Sequence, residues 1–158
     1  MCDFKSVIEL DYIDETYINI ITDWLYNWWG KESNWSREKV YNYVKNSCSK
    51  KILPKTFIYV EDNILKGVCM LSYYDVDIRP DIYPWLINMY VDIPYRNNKV
   101  CDTLVKYSIN YLKNNSFKEV YIYTTHSSLY EKYGFKKIED LRTFEDDITY
   151  NLYKLEIA

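Results

Sequence analysis

The amino-acid sequence predicts one mixed α/β (α+β) domain, on three observations. Its 158 residues are the length of a single domain, enough to bury roughly 68–70% of the surface of the unfolded chain. Its apolar residues switch several times between helical spacing and strand alternation. No internal repeat or low-complexity tract interrupts the order, which reads β-α-α-β-β-β-α-β-α-β-β.

Val7 to Leu10 reads as a short first strand. From Asp14, residues Tyr17, Ile20, Ile21, Trp24, Leu25 and Trp28 recur at helical spacing, and Gly30 is placed to stop that helix. Ser36 stands as the N-cap of a second helix whose buried stripe is Val40, Tyr43 and Val44. Lys50 to Pro54 is a linker. Thr56 to Val60 is β-branched and aromatic, Glu61-Asp62-Asn63 is a turn, and Ile64 to Tyr74 is the returning strand, with Gly67 marking a bulge. A polar connection containing Arg79-Pro80 leads to a strand at Leu86 to Asp92, closed by Pro94. Val100, Leu104, Tyr107, Ile109, Tyr111 and Leu112 mark a third helix that ends at Asn114-Asn115. Glu119 to Thr124 alternates as a strand, Ser127 to Tyr133 reads as a short helix stopped by Gly134, and strands near Phe135 to Ile138 and at Thr149 to Glu156 complete the chain, with Glu145-Asp146-Asp147 as a hairpin turn.

Composition excludes several functions. Three glycines form neither G-x-G-x-x-G nor G-x-x-x-x-G-K-[ST], and one histidine rules out H-E-x-x-H and every multi-His zinc site, so no metal is expected. A net charge of −3 argues against a nucleic-acid partner, and no stretch approaches the ~20 apolar residues of a membrane span. Cys2, Cys48, Cys69 and Cys101 are scattered behind an N-terminus without an apolar leader, which predicts reduced thiols and a cytoplasmic location.

The most informative segment is the strand at Leu86 to Asp92, the turn Pro94-Tyr95-Arg96-Asn97-Asn98-Lys99, and the helix beginning at Val100. A strand feeding a helix through a short polar turn leaves backbone N–H groups at the helix start, where the helix dipole also favours an anion. Arg96 adds a fixed positive charge. Further along, Tyr123 to Phe135 compresses strand, short helix, glycine stop and strand.

Together with the element order, Tyr90-Val91 followed by Tyr95-Arg96, and Leu129-Tyr130-Glu131-Lys132-Tyr133-Gly134-Phe135, make the chain resemble the GNAT superfamily of N-acetyltransferases. Arg79-Pro80 with Pro84-Trp85-Leu86 is similar to one subgroup. The resemblance is firmest from Thr56 to Glu139. It implies a twisted, mostly antiparallel sheet, splayed open in the middle and flanked by helices, with acetyl-CoA in the opening. It also implies that the pantetheine arm pairs with the backbone around Met89, Tyr90 and Val91. The pyrophosphate would then sit on Arg96, Asn97, Asn98, Lys99, Val100, Cys101 and Asp102. The family's turn usually carries two small residues where this chain has Lys99 and Cys101.

The implied reaction is direct attack of a primary amine on the thioester, which needs a neutral amine, a donor for the developing oxyanion and an acid for the leaving thiolate. The backbone N–H near Val91 is the expected oxyanion donor. Tyr130 matches the family tyrosine near the coenzyme sulfur, and would act as the acid. His126, at the end of a strand beside the cleft, is a candidate base. Asp75, Asp77 and Trp85 are expected to border the acceptor, which is a small-molecule or peptide amine, favoured as a cation by the acidic loops. The implied protein is a monomer or homodimer. A non-catalytic binding or sensor module that keeps the fold but has lost a functional turn is the competing reading.

Overall fold

The computed structural model describes residues 3–144 and 146–157. The sequence expectations for Cys2 and Glu145 therefore lie outside the described residues. Seven strands form one sheet in the order β1-β2-β3-β4-β5-β7-β6. They are β1 (Val7–Glu9), β2 (Lys55–Glu61), β3 (Ile64–Ser72), β4 (Trp85–Val91), β5 (Glu119–Thr124), β6 (Lys136–Arg142) and β7 (Thr149–Glu156). All neighbours are antiparallel except β4 and β5, which run parallel and pair at the single position Trp85↔Tyr121. The sheet is mixed, mostly antiparallel, and splayed beyond that rung.

The helices cover both faces. On one, α1 (Glu15–Leu25) buries Ile18, Ile21, Thr22 and Leu25, the i, i+3, i+4, i+7 stripe of a helix lying on a sheet. It packs with α2 (Arg37–Asn46), whose Val40 and Val44 are buried. Ser36 caps α2, its hydroxyl oxygen accepting the Lys39 N–H at 3.1 Å. On the other face α3 (Val100–Asn114) buries Val100, Leu104, Val105, Ser108 and Leu112 against β2, β3 and β4. A third apolar cluster, with Trp85, Tyr121, Leu141, Leu152 and Val76, sits where β4 and β5 part.

Three local expectations need correction. The first helix does not run on as an α-helix to Trp28. It widens into a π-helical turn at Tyr26–Gly30, closed by the Lys31 N–H on the Tyr26 carbonyl at 3.0 Å. The wider turn brings Trp28 to Tyr90, with ring centroids 5.8 Å apart, and Trp29 to Trp35 and Tyr43. The helical run does end at Gly30, as expected, but without a left-handed φ. The role of Gly30 is close packing, since a Cβ there would lie 3.0 Å from Val40.

The short helix expected from Ser127 is only a 3-10 turn at Glu131–Tyr133. Ser128 takes a φ of +65°, which ends any helical path. Gly134, at φ +96°, does stop the turn. The bulge expected at Gly67 lies beside it, because Tyr59 pairs with Gly67 and Val60 with Leu65. Gly67 itself is required by proximity: a Cβ would come within 2.7 Å of Val100 in the first turn of α3.

Candidate active site

The candidate site grows from β4. Beyond Trp85 its edge toward β5 has no strand partner, because the two strands pair only at that residue. Its other edge is interrupted. Val68 pairs with Tyr90 but Met70 with Ile87, so Asn88 and Met89 together face Cys69. This is a bulge, and it turns backbone groups out of the ladder. Asn88 makes it with a φ of +52°, a conformation asparagine tolerates better than most residues.

The Asn88 side chain fastens the bulge to the π-helical turn after α1 and to α2. Its amide oxygen accepts the Trp29 indole N–H at 3.1 Å, and its amide nitrogen donates to the Tyr43 hydroxyl at 2.8 Å. That nitrogen also lies 3.3 Å from the Met70 sulfur. Next to this hub, a cleft of about 230 Å³ is lined by Tyr43, Asn46, Ser47, Pro54, Met70, Leu71, Ser72 and Ile87. Tyr90 projects to the same side and stacks with Trp24 and Trp28.

At the far end of β4 the chain closes tightly. The Asp92 carboxylate accepts the Ile93 N–H at 3.0 Å, and a 3-10 turn at Ile93–Tyr95 follows. The Arg96 Nε donates to the Val91 carbonyl at 2.9 Å, and its guanidinium lies 5.5 Å from the Tyr90 ring centre. Asn97 and Lys99 both have positive φ, +66° and +64°. The Lys99 carbonyl accepts the first bond of α3, from the Thr103 N–H at 3.0 Å, and also the Thr103 hydroxyl at 2.8 Å. The N–H groups of Val100, Cys101 and Asp102 precede the first intrahelical bond, so they face the turn as donors. Residues 96–99 are exposed around them.

The family model described as Acetyltransferase (GNAT) family matches residues 18–135, most of the chain. The chain belongs to the GNAT acetyltransferase family. Its co-substrate is accordingly acetyl-coenzyme A. The chain is similar in fold to an aminoglycoside 6'-N-acetyltransferase complexed with coenzyme A, with a TM-score of 0.78 at 16% identity over 96% of this chain and 97% of that one. It is similar to the aminoglycoside 6'-N-acetyltransferase from Enterococcus faecium, with a TM-score of 0.73, 16% identity, and the same 96% and 97% coverage. An N-acetyltransferase from Staphylococcus aureus Mu50 gives 0.72 at 13% identity, over 96% and 98%. The sequence has no match among the curated proteins.

In this GNAT chain the residues expected to meet the coenzyme fall along one path: the bulged β4 edge at Met89, Tyr90 and Val91, then the turn Arg96 to Lys99, then the start of α3. Donors, positive charge and an open strand edge suit an amide-bearing arm that ends in a diphosphate. The Asp102 carboxylate is held by Lys106 at 3.1 Å, which leaves its backbone N–H as the group that faces the turn. Burial pushes the Cys101 thiol up, which keeps it a thiol and argues against a nucleophilic role. Tyr130 is buried on the α3 side beside Phe135 and Tyr133, within electrostatic reach of the Cys69 and Cys101 thiols. Burial raises its phenol well above the ordinary value.

The remaining expected residues separate. His126 is exposed after β5, its backbone N–H on the Thr124 hydroxyl at 3.1 Å and its carbonyl accepting from Asn151 at 3.0 Å. Asp75 and Asp77 border a small recess with Tyr123 and Phe144, and the Asp75 charge also reaches Tyr43. Trp85 does not line a cleft. It is fully buried against Tyr121 and Tyr123, with its indole N–H on the Ile82 carbonyl at 3.1 Å, because the divergence of β4 and β5 needs a large apolar plug. Arg79 braces the β3–β4 loop, forked onto Asp81 at 2.9 Å and paired with Glu139 of β6. The sequence reading did not single out Asn88, the residue that ties the bulge to Trp29 and Tyr43. Its one signal was a polar residue inside the apolar run Leu86 to Val91.

Proposed function

We propose that the protein is an acetyl-coenzyme A-dependent N-acetyltransferase that transfers an acetyl group to a primary amine by direct attack on the thioester. The observation that carries this reading is the β4 strand, unpaired toward β5 beyond Trp85, bulged at Asn88 and Met89, and running into the open start of α3. Acetyl-coenzyme A, when bound, supplies an acyl group activated by a thiol leaving group.

The protein's own residues do the rest. The bulged backbone from Asn88 to Val91 offers N–H groups to the acyl oxygen as charge develops on it. Arg96, Lys99 and the N–H groups of Val100 to Asp102 hold the diphosphate. Tyr130 gives its proton to the departing sulfur; its raised pKa keeps that proton in place through the neutral range. Asp75 and Asp77 draw in the cationic acceptor, and His126 or a water takes the proton the amine must lose. The setting is a cytoplasm that keeps Cys48, Cys69 and Cys101 reduced.

The non-catalytic reading drew its support from the missing turn glycine. Lys99 nevertheless sits at φ +64°, the conformation glycine usually supplies, so the turn has kept its bend without it. The acetyltransferase reading is therefore preferred. Calorimetry with acetyl-coenzyme A, followed by thiol release in the presence of amines, tests it. Micromolar binding and amine-dependent release are expected, and an absence of binding would sink the proposal.

A further inference from the structure

The Asn88 amide has one orientation open to it. The Trp29 indole nitrogen is a donor only, so the amide atom 3.1 Å from it is the oxygen. The amide nitrogen then faces Tyr43 and donates to its hydroxyl oxygen at 2.8 Å. A phenol that accepts from Asn88 keeps its own proton for another partner. Trp29 and Trp35 hold the Tyr43 ring edge-on, each with centroids 5.7 Å away, so the hydroxyl has a fixed place. Tyr43 lines the 230 Å³ cleft together with the apolar Met70, Leu71 and Ile87.

Two further facts bear on the proton. Burial, reinforced by the Asp75 carboxylate, pushes the Tyr43 phenol up to about 12. It therefore stays protonated at every physiological pH. Asp75 lines the separate recess beside Tyr123 but acts on Tyr43 as a charge, a feature that would also draw an ammonium toward Tyr43.

Given acetyl transfer to an amine, we propose that Tyr43 is a specificity-determining residue, a hydrogen-bond donor aimed by Asn88 at an oxygen of the acceptor. The acceptor class is thus an amine that carries hydroxyl or carbonyl oxygens, and not a bare polyamine. A protonated polyamine brings donors and methylenes to this wall, and leaves the Tyr43 proton without an acceptor. A hydroxylated amine satisfies both ends at once, its ammonium toward Asp75 and an oxygen on Tyr43.

Two amines of the same skeleton provide the test: 6-amino-6-deoxyglucose, and cyclohexylmethylamine, which has the ring and aminomethyl group without oxygens. Spermidine is the third probe. The readout is kcat/KM for coenzyme thiol release. The wild-type protein should favour the sugar amine over its oxygen-free counterpart by about tenfold or more, and Tyr43→Phe should cut that ratio by about tenfold. Asn88→Asp should cut it as well, although the phenol remains. A carboxylate there accepts from both Trp29 and Tyr43, and so draws the proton away from the cleft. Aspartate also tolerates the positive φ of this position.

A ratio unchanged in either variant, or a wild-type preference for spermidine, would overturn the proposal. Thiol release with none of the amines would instead overturn the transferase reading. In that event calorimetry of the two ring amines with wild type and Tyr43→Phe decides the role of the hydroxyl. A lost preference for the sugar amine in the variant supports it; equal preference, or no binding, ends it.

Discussion

Lys99 and Tyr130 carry opposite burdens at the scale of single residues. Lys99 holds a left-handed backbone that costs an L-residue about 1–2 kcal/mol, while glycine in its place would add freedom to the unfolded chain worth about 0.4–1 kcal/mol. Lys99→Gly should therefore stabilise the fold by about 0 to 1.6 kcal/mol in urea unfolding. The same change removes an exposed ammonium from the anion site, so calorimetry should show coenzyme affinity falling by up to about fivefold, less in high salt. A large gain in affinity would mean that the natural turn is compromised. For Tyr130 the expectation lies in rate. Tyr130→Phe should lower kcat by roughly a hundredfold, the lower end for a lost general acid, with the KM for acetyl-coenzyme A little changed. An unchanged kcat would remove Tyr130 as the acid.

Between elements, Gly67 is one of the points where β3 and α3 touch, as Cys69 and Ser108 are another. A methyl group there meets Val100 at 2.7 Å, Leu104 at 3.2 Å and the Tyr90 carbonyl oxygen at 3.2 Å. Gly67→Ala should push back the first turn of α3, costing about 1–3 kcal/mol by overpacking. It should also weaken coenzyme affinity, since the donors of Val100 to Asp102 move with that turn; retained affinity would separate the helix start from the coenzyme site. Elements of this kind were largely legible in the sequence. Ser36 was recognisable as a cap, and α3, β5 and β7 follow their apolar periodicity closely. The β4 bulge was not legible, because a register shift depends on the partner strand and leaves only one polar residue in an apolar run. Nor was the hub around it. Asn88 meets Tyr43 and Trp29 from 45 and 59 positions away, and Tyr43 by itself reads as one more apolar position on the buried face of α2. The π-helical turn escaped for a related reason: Trp28 fits α-helical spacing, and the wider turn goes with long-range packing of Trp28 on Tyr90 and of Trp29 on Trp35 and Tyr43.

Over the whole molecule, acid stability follows from carboxylates that gain partners on folding. Glu15 is held below its ordinary 4.5 first by a hydrogen bond from Lys45, and Glu119 first by one from Lys154. Asp81 is held below 3.8 first by Arg79. Groups lowered in the folded state stabilise it above the unfolded pKa and lose that contribution as pH falls through the folded one. The melting temperature should therefore be flat from about pH 6 to 8 and fall below about pH 4.5; a fall beginning near pH 6 would implicate other groups.

The sheet, meanwhile, is continuous through one rung. Strands β1 to β4 form one leaf and β5 to β7 another, and Trp85 is the pin of the hinge between them. No ladder of hydrogen bonds fixes the angle beyond that pin, so an extended molecule laid in the gap would set it. Acetyl-coenzyme A should slow amide exchange on the facing edges of both β4 and β5, since it would bridge two leaves that the chain itself leaves apart. Protection confined to the β4 leaf would show that the gap stays hinged open with the co-substrate in place.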